Sequence, residues 1–185
     1  MRTLVGLVAT LALTTVTATS ASASTEVLLL MKDKRGDVKI FKSKKISTTK
    51  KKSIDIESAS LTKLSSGKYR YKVRIKKAYH SKKWEQVISF SSYPIDDMSL
   101  GSGTSVGFDT SARTTKAGNE RTSSFCSVKV HRKGRTFWVD VPRKCAPYSG
   151  DAVSVGTITA HYGKTFSGFY SSDELTLGVL NVPSR

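Results

Sequence analysis

Between Lys68 and Lys76 the chain alternates without a break. Tyr69, Tyr71, Val73 and Ile75 occupy one parity, and Lys68, Arg70, Lys72, Arg74 and Lys76 the other. Successive side chains of a strand point to opposite faces, so this segment makes one aromatic and aliphatic face and one cationic face. A helix would scatter both sets around its circumference. A strand buried on both faces would read as a continuous apolar run instead. The segment therefore demands a sheet with one face on a core and the other in water.

The rest of the chain repeats the theme with strong turn punctuation and no long helical periodicity. Val27–Met31 reads as a buried first strand, and Val38–Phe41 as a short one after the break Asp33-Lys34-Arg35-Gly36-Asp37. Ile54 to Leu64 and Lys68 to Lys76 form an expected hairpin around Ser65-Ser66-Gly67. Trp84–Phe90 follows, then a Ser-, Gly- and Thr-rich stretch over 91–124 that reads as a loop around one short strand, Ser105–Asp109. Phe125–Val130 and Arg135–Val141 form a second hairpin, with Cys126 facing Val141 and Pro142 ending the strand. Ala152–His161 and Leu175–Val182 close the chain. The expectation is an all-β fold, an antiparallel β-sandwich of about nine or ten short strands.

Residues 1–23 read as a cleaved secretory signal: Arg2, the apolar run Leu4–Leu13, then the small-residue site Ala21-Ser22-Ala23. The apolar run is shorter than the roughly 20 residues a membrane span needs. Residues 24–185 then form a single domain, secreted and extracellular or associated with the cell wall. Its two cysteines, Cys126 and Cys145, are expected to pair in an oxidising compartment. The bridge would tie the segment after Pro142 back to the sheet.

Three short motifs carry a resemblance: Asp33-Lys34-Arg35-Gly36-Asp37, then Asp55-Ile56, then Val141-Pro142-Arg143-Lys144-Cys145. Together they resemble the D-x-x-G-D, D-I and V-P-R-x-C pattern of small, uncharacterised secreted actinobacterial proteins, across most of the exported chain. Such proteins are similar in style to DOMON domains and to carbohydrate-binding modules of family nine. The resemblance implies a sandwich fold and export, and no particular activity. Ala146-Pro147-Tyr148-Ser149-Gly150 departs from the family's usual leucine-glycine start after the cysteine.

Charge directs the functional reading. Residues 32–83 hold 19 Lys and Arg against four acids, whereas 84–185 hold 11 against nine. So one-sided a distribution favours anionic partners. The five cations Lys68, Arg70, Lys72, Arg74 and Lys76 would sit about 7 Å apart on one strand face and repel one another unless anions cover them. Candidate partners are wall polymers, anionic lipid head groups, acidic polysaccharide and extracellular nucleic acid. The competing reading is a solvated face that discourages edge pairing. Nucleic acid would want stacking aromatics on the basic face, and Tyr69 and Tyr71 point the other way.

Other candidates are weaker in pattern. Asp33, Asp37 and Asp55 could offer oxygen ligands to Ca²⁺, with Glu57 as a helper if a bulge turned it to their side. Otherwise they are turn-forming aspartates. Tyr148, Tyr162, Phe169 and Tyr170 lie near turns and could form a sugar-stacking cluster, while Trp84 and Trp138 read as core. His80, His131 and His161 make neither a metal spacing nor a triad. Asp96 or Asp97 with Asp109 is a carboxylate pair a hydrolase reading could use, although the segment reads as loop and nothing in the sequence orients them. The chain therefore reads first as a non-catalytic polyanion binder. A carbohydrate-binding module comes second, and a hydrolase with an unrecognised site third.

Overall fold

The computed structural model describes residues 25–41, 46–79, 81–95, 103–163 and 169–181. The expected export signal, His80, and the Asp96–Asp97 pair lie outside these residues, as do Lys42, Lys44 and Lys45 of the basic stretch. Eleven strands run in order: β1 (Glu26–Lys32), β2 (Lys39–Ile40), β3 (Ile56–Lys63), β4 (Tyr69–Ile75), β5 (Trp84–Pro94), β6 (Thr104–Asp109), β7 (Thr114–Asn119), β8 (Ser124–Lys133), β9 (Thr136–Val141), β10 (Asp151–His161) and β11 (Phe169–Val179). One short helix, α1 (Thr48–Lys51), is capped by Ser47, whose side chain accepts from the Lys50 N–H. Among the described residues no helix is long and apolar enough to cross a membrane.

The fold is all-β and antiparallel, as the alternation requires. It is not two separate stacked sheets. One sheet, ordered β1-β3-β4-β9-β8-β7-β6-β5-β10-β11-β2, curls into a half-barrel. The reason lies in β8. Ser124–Lys129 pairs with β7, and Val130–Lys133 pairs with β9, so a single ten-residue strand belongs to both halves. The two halves fold over one core. Tyr71 of β4 meets Phe90 of β5 with ring centres 5.2 Å apart, and Phe108 of β6 meets Phe137 of β9 at 6.4 Å. Such tilted pairs add to the area they bury.

The β3–β4 hairpin forms as the pattern demands, with Leu61 opposite Tyr71 and Ala59 opposite Val73 on the buried face. A bulge between Ile56 and Ser58 keeps Ile56 on the core side despite its even number. β1 differs from expectation. It is an edge strand with Val27 and Leu30 more than 60% exposed, because only β3 pairs with it. The polar stretch 91–124 also holds more strand than its composition suggests. β5 extends to Pro94 and the Thr-rich β7 forms, because hydrogen bonds from β6 and β8 on its two sides supply what its side chains do not.

The Cys126–Cys145 disulfide is present. Cys126 pairs with Ala117 on β7 rather than facing Val141, because β8 has left β9 by that point. Cys145 ends the 3-10 turn Arg143–Cys145 that follows β9. The bridge thus holds the end of β9 near β8 where their ladder has stopped.

Candidate functional site

The cationic face of β4 lies on the outside of the half made by β1, β3, β4, β9 and the end of β8. Its cations are not equivalent. Arg70 makes a bidentate pair with Asp140 of β9, Nε to Oδ1 at 2.7 Å and Nη2 to Oδ2 at 2.8 Å. Asp140 stands directly opposite Arg70 in the register. Arg74 donates to Glu57 at 2.8 Å, and Arg135 donates to the same carboxylate at 2.9 Å. Lys76 lies 3.7 Å from Asp55. Lys68 and Lys72 have no ion partner among the described residues. Cross-strand acids therefore relieve the repulsion inside the row, as opposite charges on facing strands do.

Trp138 is on this face and not in the core. It stands opposite Lys72 on β4 and His131 on β8. The His131 ring stacks on it at 5.3 Å with only 8° between planes, and the Arg70 guanidinium lies over it at 5.8 Å from the ring centre. The alternation of β9 explains the placement: Phe137, Val139 and Val141 are fully buried, so Trp138 and Asp140 must face out. Shallow grooves lie on either side of the stacked pair. One, of about 490 Å³, is lined by Leu30, Thr62, Arg70, Lys72, Lys133 and Trp138 among others. The other, of about 360 Å³, is lined by Lys68, Lys129, His131 and Asp140 among others. Lys129 and Lys133 also lack an ion partner among the described residues. These two lysines and Trp138 were hidden from a reading of β4 alone, since they join the face only through the register of β9 and β8.

A second cluster is acidic. Asp33 and Asp37 come together as their motif suggests, but the third partner is Asp173 of β11. One carboxylate oxygen from each lies within 4.8 Å of the others. Asp55 sits beside them, almost wholly buried, accepting the Gly36 N–H at 3.0 Å. Gly36 adopts φ +90°, a conformation that favours glycine. Asp173 accepts the Ile56 N–H at 2.7 Å and the Glu174 N–H at 3.1 Å. Burial pushes its pKa up to about 6, and Asp37 and Asp33 add to the rise. Burial also raises Asp33, with Asp37 and Asp55 adding to it against the Lys34 N–H. Glu57 is no helper here, because the bulge leaves it on the outer face with Arg74 and Arg135.

The four turn aromatics do not form a single cluster, because Tyr148 stands apart. Tyr148 precedes β10 and Tyr162 follows it, so the eleven residues of that strand separate them by roughly 35 Å. Tyr148 lies under the Arg121 guanidinium at 4.9 Å, and Arg121 in turn pairs with the buried Asp151 at 2.5 Å. Tyr170 is buried. Phe169 opens β11, and its side chain lies outside the described set. His161 Nδ1 donates to the Lys83 carbonyl, 3.1 Å away, and its ring lies 5.0 Å from Tyr170. Trp84 belongs to a small satellite core with Ile46 and Tyr170. No family model, curated protein or solved structure matches this chain, so its functional reading rests on its own residues.

Proposed function

We propose that the protein is a secreted, non-catalytic binder of anionic polymers of the cell envelope or its surroundings, acting through the outer face of β4, β9 and β8. One observation carries the reading: four lysines without ion partners among the described residues, Lys68, Lys72, Lys129 and Lys133, flank a Trp138 that contacts His131 and Arg70. The paired arginines fix the platform and the free lysines supply the contact. Lysine is a flexible point charge, suited to a polymer whose anions vary in position. The ring faces of Trp138 are already engaged by its own neighbours, which favours charge contact over stacking of bases or sugars.

The test is retention of the protein on a sulfated polysaccharide, on a glycerol-phosphate polymer and on duplex DNA, with a neutral glucan as control. Retention on the anionic matrices at low salt, lost at high salt, is expected. Replacing Lys68, Lys72, Lys129 and Lys133 by Gln should reduce retention at least tenfold. No retention on any anionic matrix at low salt overturns the proposal. Salt-resistant retention on the neutral glucan would favour a carbohydrate-binding module instead.

A further inference from the structure

The acidic cluster lies where the curled sheet nearly closes. β1 is one edge of the sheet, and β11 with β2 is the other. Asp33 follows β1, Asp37 precedes β2, and Asp173 is on β11. The edges are joined there by few direct bonds. Asp173 takes the Ile56 N–H across the seam at 2.7 Å, and Ser171 donates to the Lys51 carbonyl at 2.8 Å. Three carboxylates brought together at such a seam repel one another, and among the described residues none of the three has a cationic partner, although the chain carries 31 Lys and Arg.

A second, independent observation points to a ligand. Asp55 is 1% exposed and packed beside the cluster. Its Oδ2 accepts the Gly36 N–H and lies 3.7 Å from the Lys76 ammonium, but its Oδ1 is buried without a hydrogen-bond partner. Oδ2 of Asp33 is buried and unpartnered in the same way, while its Oδ1 accepts the Lys34 N–H at 2.8 Å. Leaving buried carboxylate oxygens unsatisfied is costly; a cation bound at Asp33 would satisfy its Oδ2 directly and offset the charge of Asp55 beside it.

We propose that Asp33, Asp37 and Asp173 hold a divalent cation, Ca²⁺, which bridges the β1–β2 loop to β11 and clamps the seam, with Asp55 buttressing the loop from behind. Two oxygens bound to one Ca²⁺ at about 2.4 Å can be no more than about 4.8 Å apart. The three carboxylates meet that limit. All the donors are oxygen, which suits Ca²⁺ and disfavours Zn²⁺. Mg²⁺ demands tighter octahedral geometry and seldom relies on protein carboxylates alone. Solvent reaches the site: Asp37 and Asp173 also line an outer groove of about 620 Å³, along with Ser89, Ser154, Ser172 and Glu174. The ion can enter by that route, and water can complete its shell. The proposal is independent of polymer binding, which uses the other half of the sheet.

The experiment is calorimetric titration of Ca²⁺ into the chelator-treated full chain, with melting curves in Ca²⁺ and in NaCl of matched ionic strength. One saturable site and a rise in Tm specific to Ca²⁺ are expected. Asp37 is exposed and makes no hydrogen bond among the described residues. Asp37→Asn should therefore weaken binding at least tenfold without lowering the Tm in chelator. Asp33→Asn should also weaken binding at least tenfold. Absence of heat and of a Tm shift at about 10 mM Ca²⁺, above the range of the weakest protein sites, overturns the proposal. So does unchanged affinity in Asp37→Asn, or a Tm shift reproduced by NaCl.

Discussion

Glu57 does most to decide how much positive charge the β4 face presents. It pairs with Arg74 and Arg135 together, offsetting one of their two charges, and its side chain is only 13% exposed. Both arginines are half in water, so losing the pairs should cost about 1 kcal/mol or less. Glu57→Gln should therefore unfold at slightly lower urea concentration. It should also elute from a sulfated matrix at higher salt than the unaltered protein, because two arginines are released. A variant that elutes earlier would show that Glu57 arranges the face and does not merely mask it. Trp138 belongs to the same scale. Its exposure follows from one fact, that its neighbours Phe137 and Val139 are fully buried.

At the scale of elements, β8 makes the sheet continuous. Its first half serves β7 and its second half β9, and the strands diverge where it changes partner. The disulfide spans that divergence and closes a loop with a sequence separation of 19. Chain-entropy reasoning assigns such a loop about 3 kcal/mol. The double substitution Cys126→Ala and Cys145→Ala should lower unfolding free energy by about that amount, read from urea curves fitted for midpoint and m-value together. A loss near zero would mean that Asn119 holds the turn without the bridge, since its Nδ2 already donates to the Lys144 carbonyl at 3.3 Å.

At the scale of the molecule, the half-barrel has a packed interior and one open seam. The interior is secured by residues such as Phe137, Phe90 and Leu61, all fully buried. At the seam β11 approaches β1 and β3, and polar bonds link distant segments there, the Asp173–Ile56 bond being one. Asp173→Ala leaves that buried N–H unpaired and should cost roughly 1–3 kcal/mol. Measured in chelator, the loss would contain no contribution from a bound cation. No change in stability would show that the seam is held by packing.

The sequence by itself determined the strands whose alternation is strong, the β3–β4 hairpin, the disulfide and the outward cations of β4. Each follows from a local rule: period two, turn residues, or two cysteines in one chain. It could not show that β1 is an exposed edge, that β7 is a strand, or that Trp138 faces water beside Lys72. Those depend on which strands lie next to one another, and pairing partners are far apart in sequence. The acidic cluster makes the same point. Asp33 and Asp37 meet through a local glycine turn and were legible. Asp173 joins them from well over a hundred residues away, because only the curl of the whole sheet brings its two edges together.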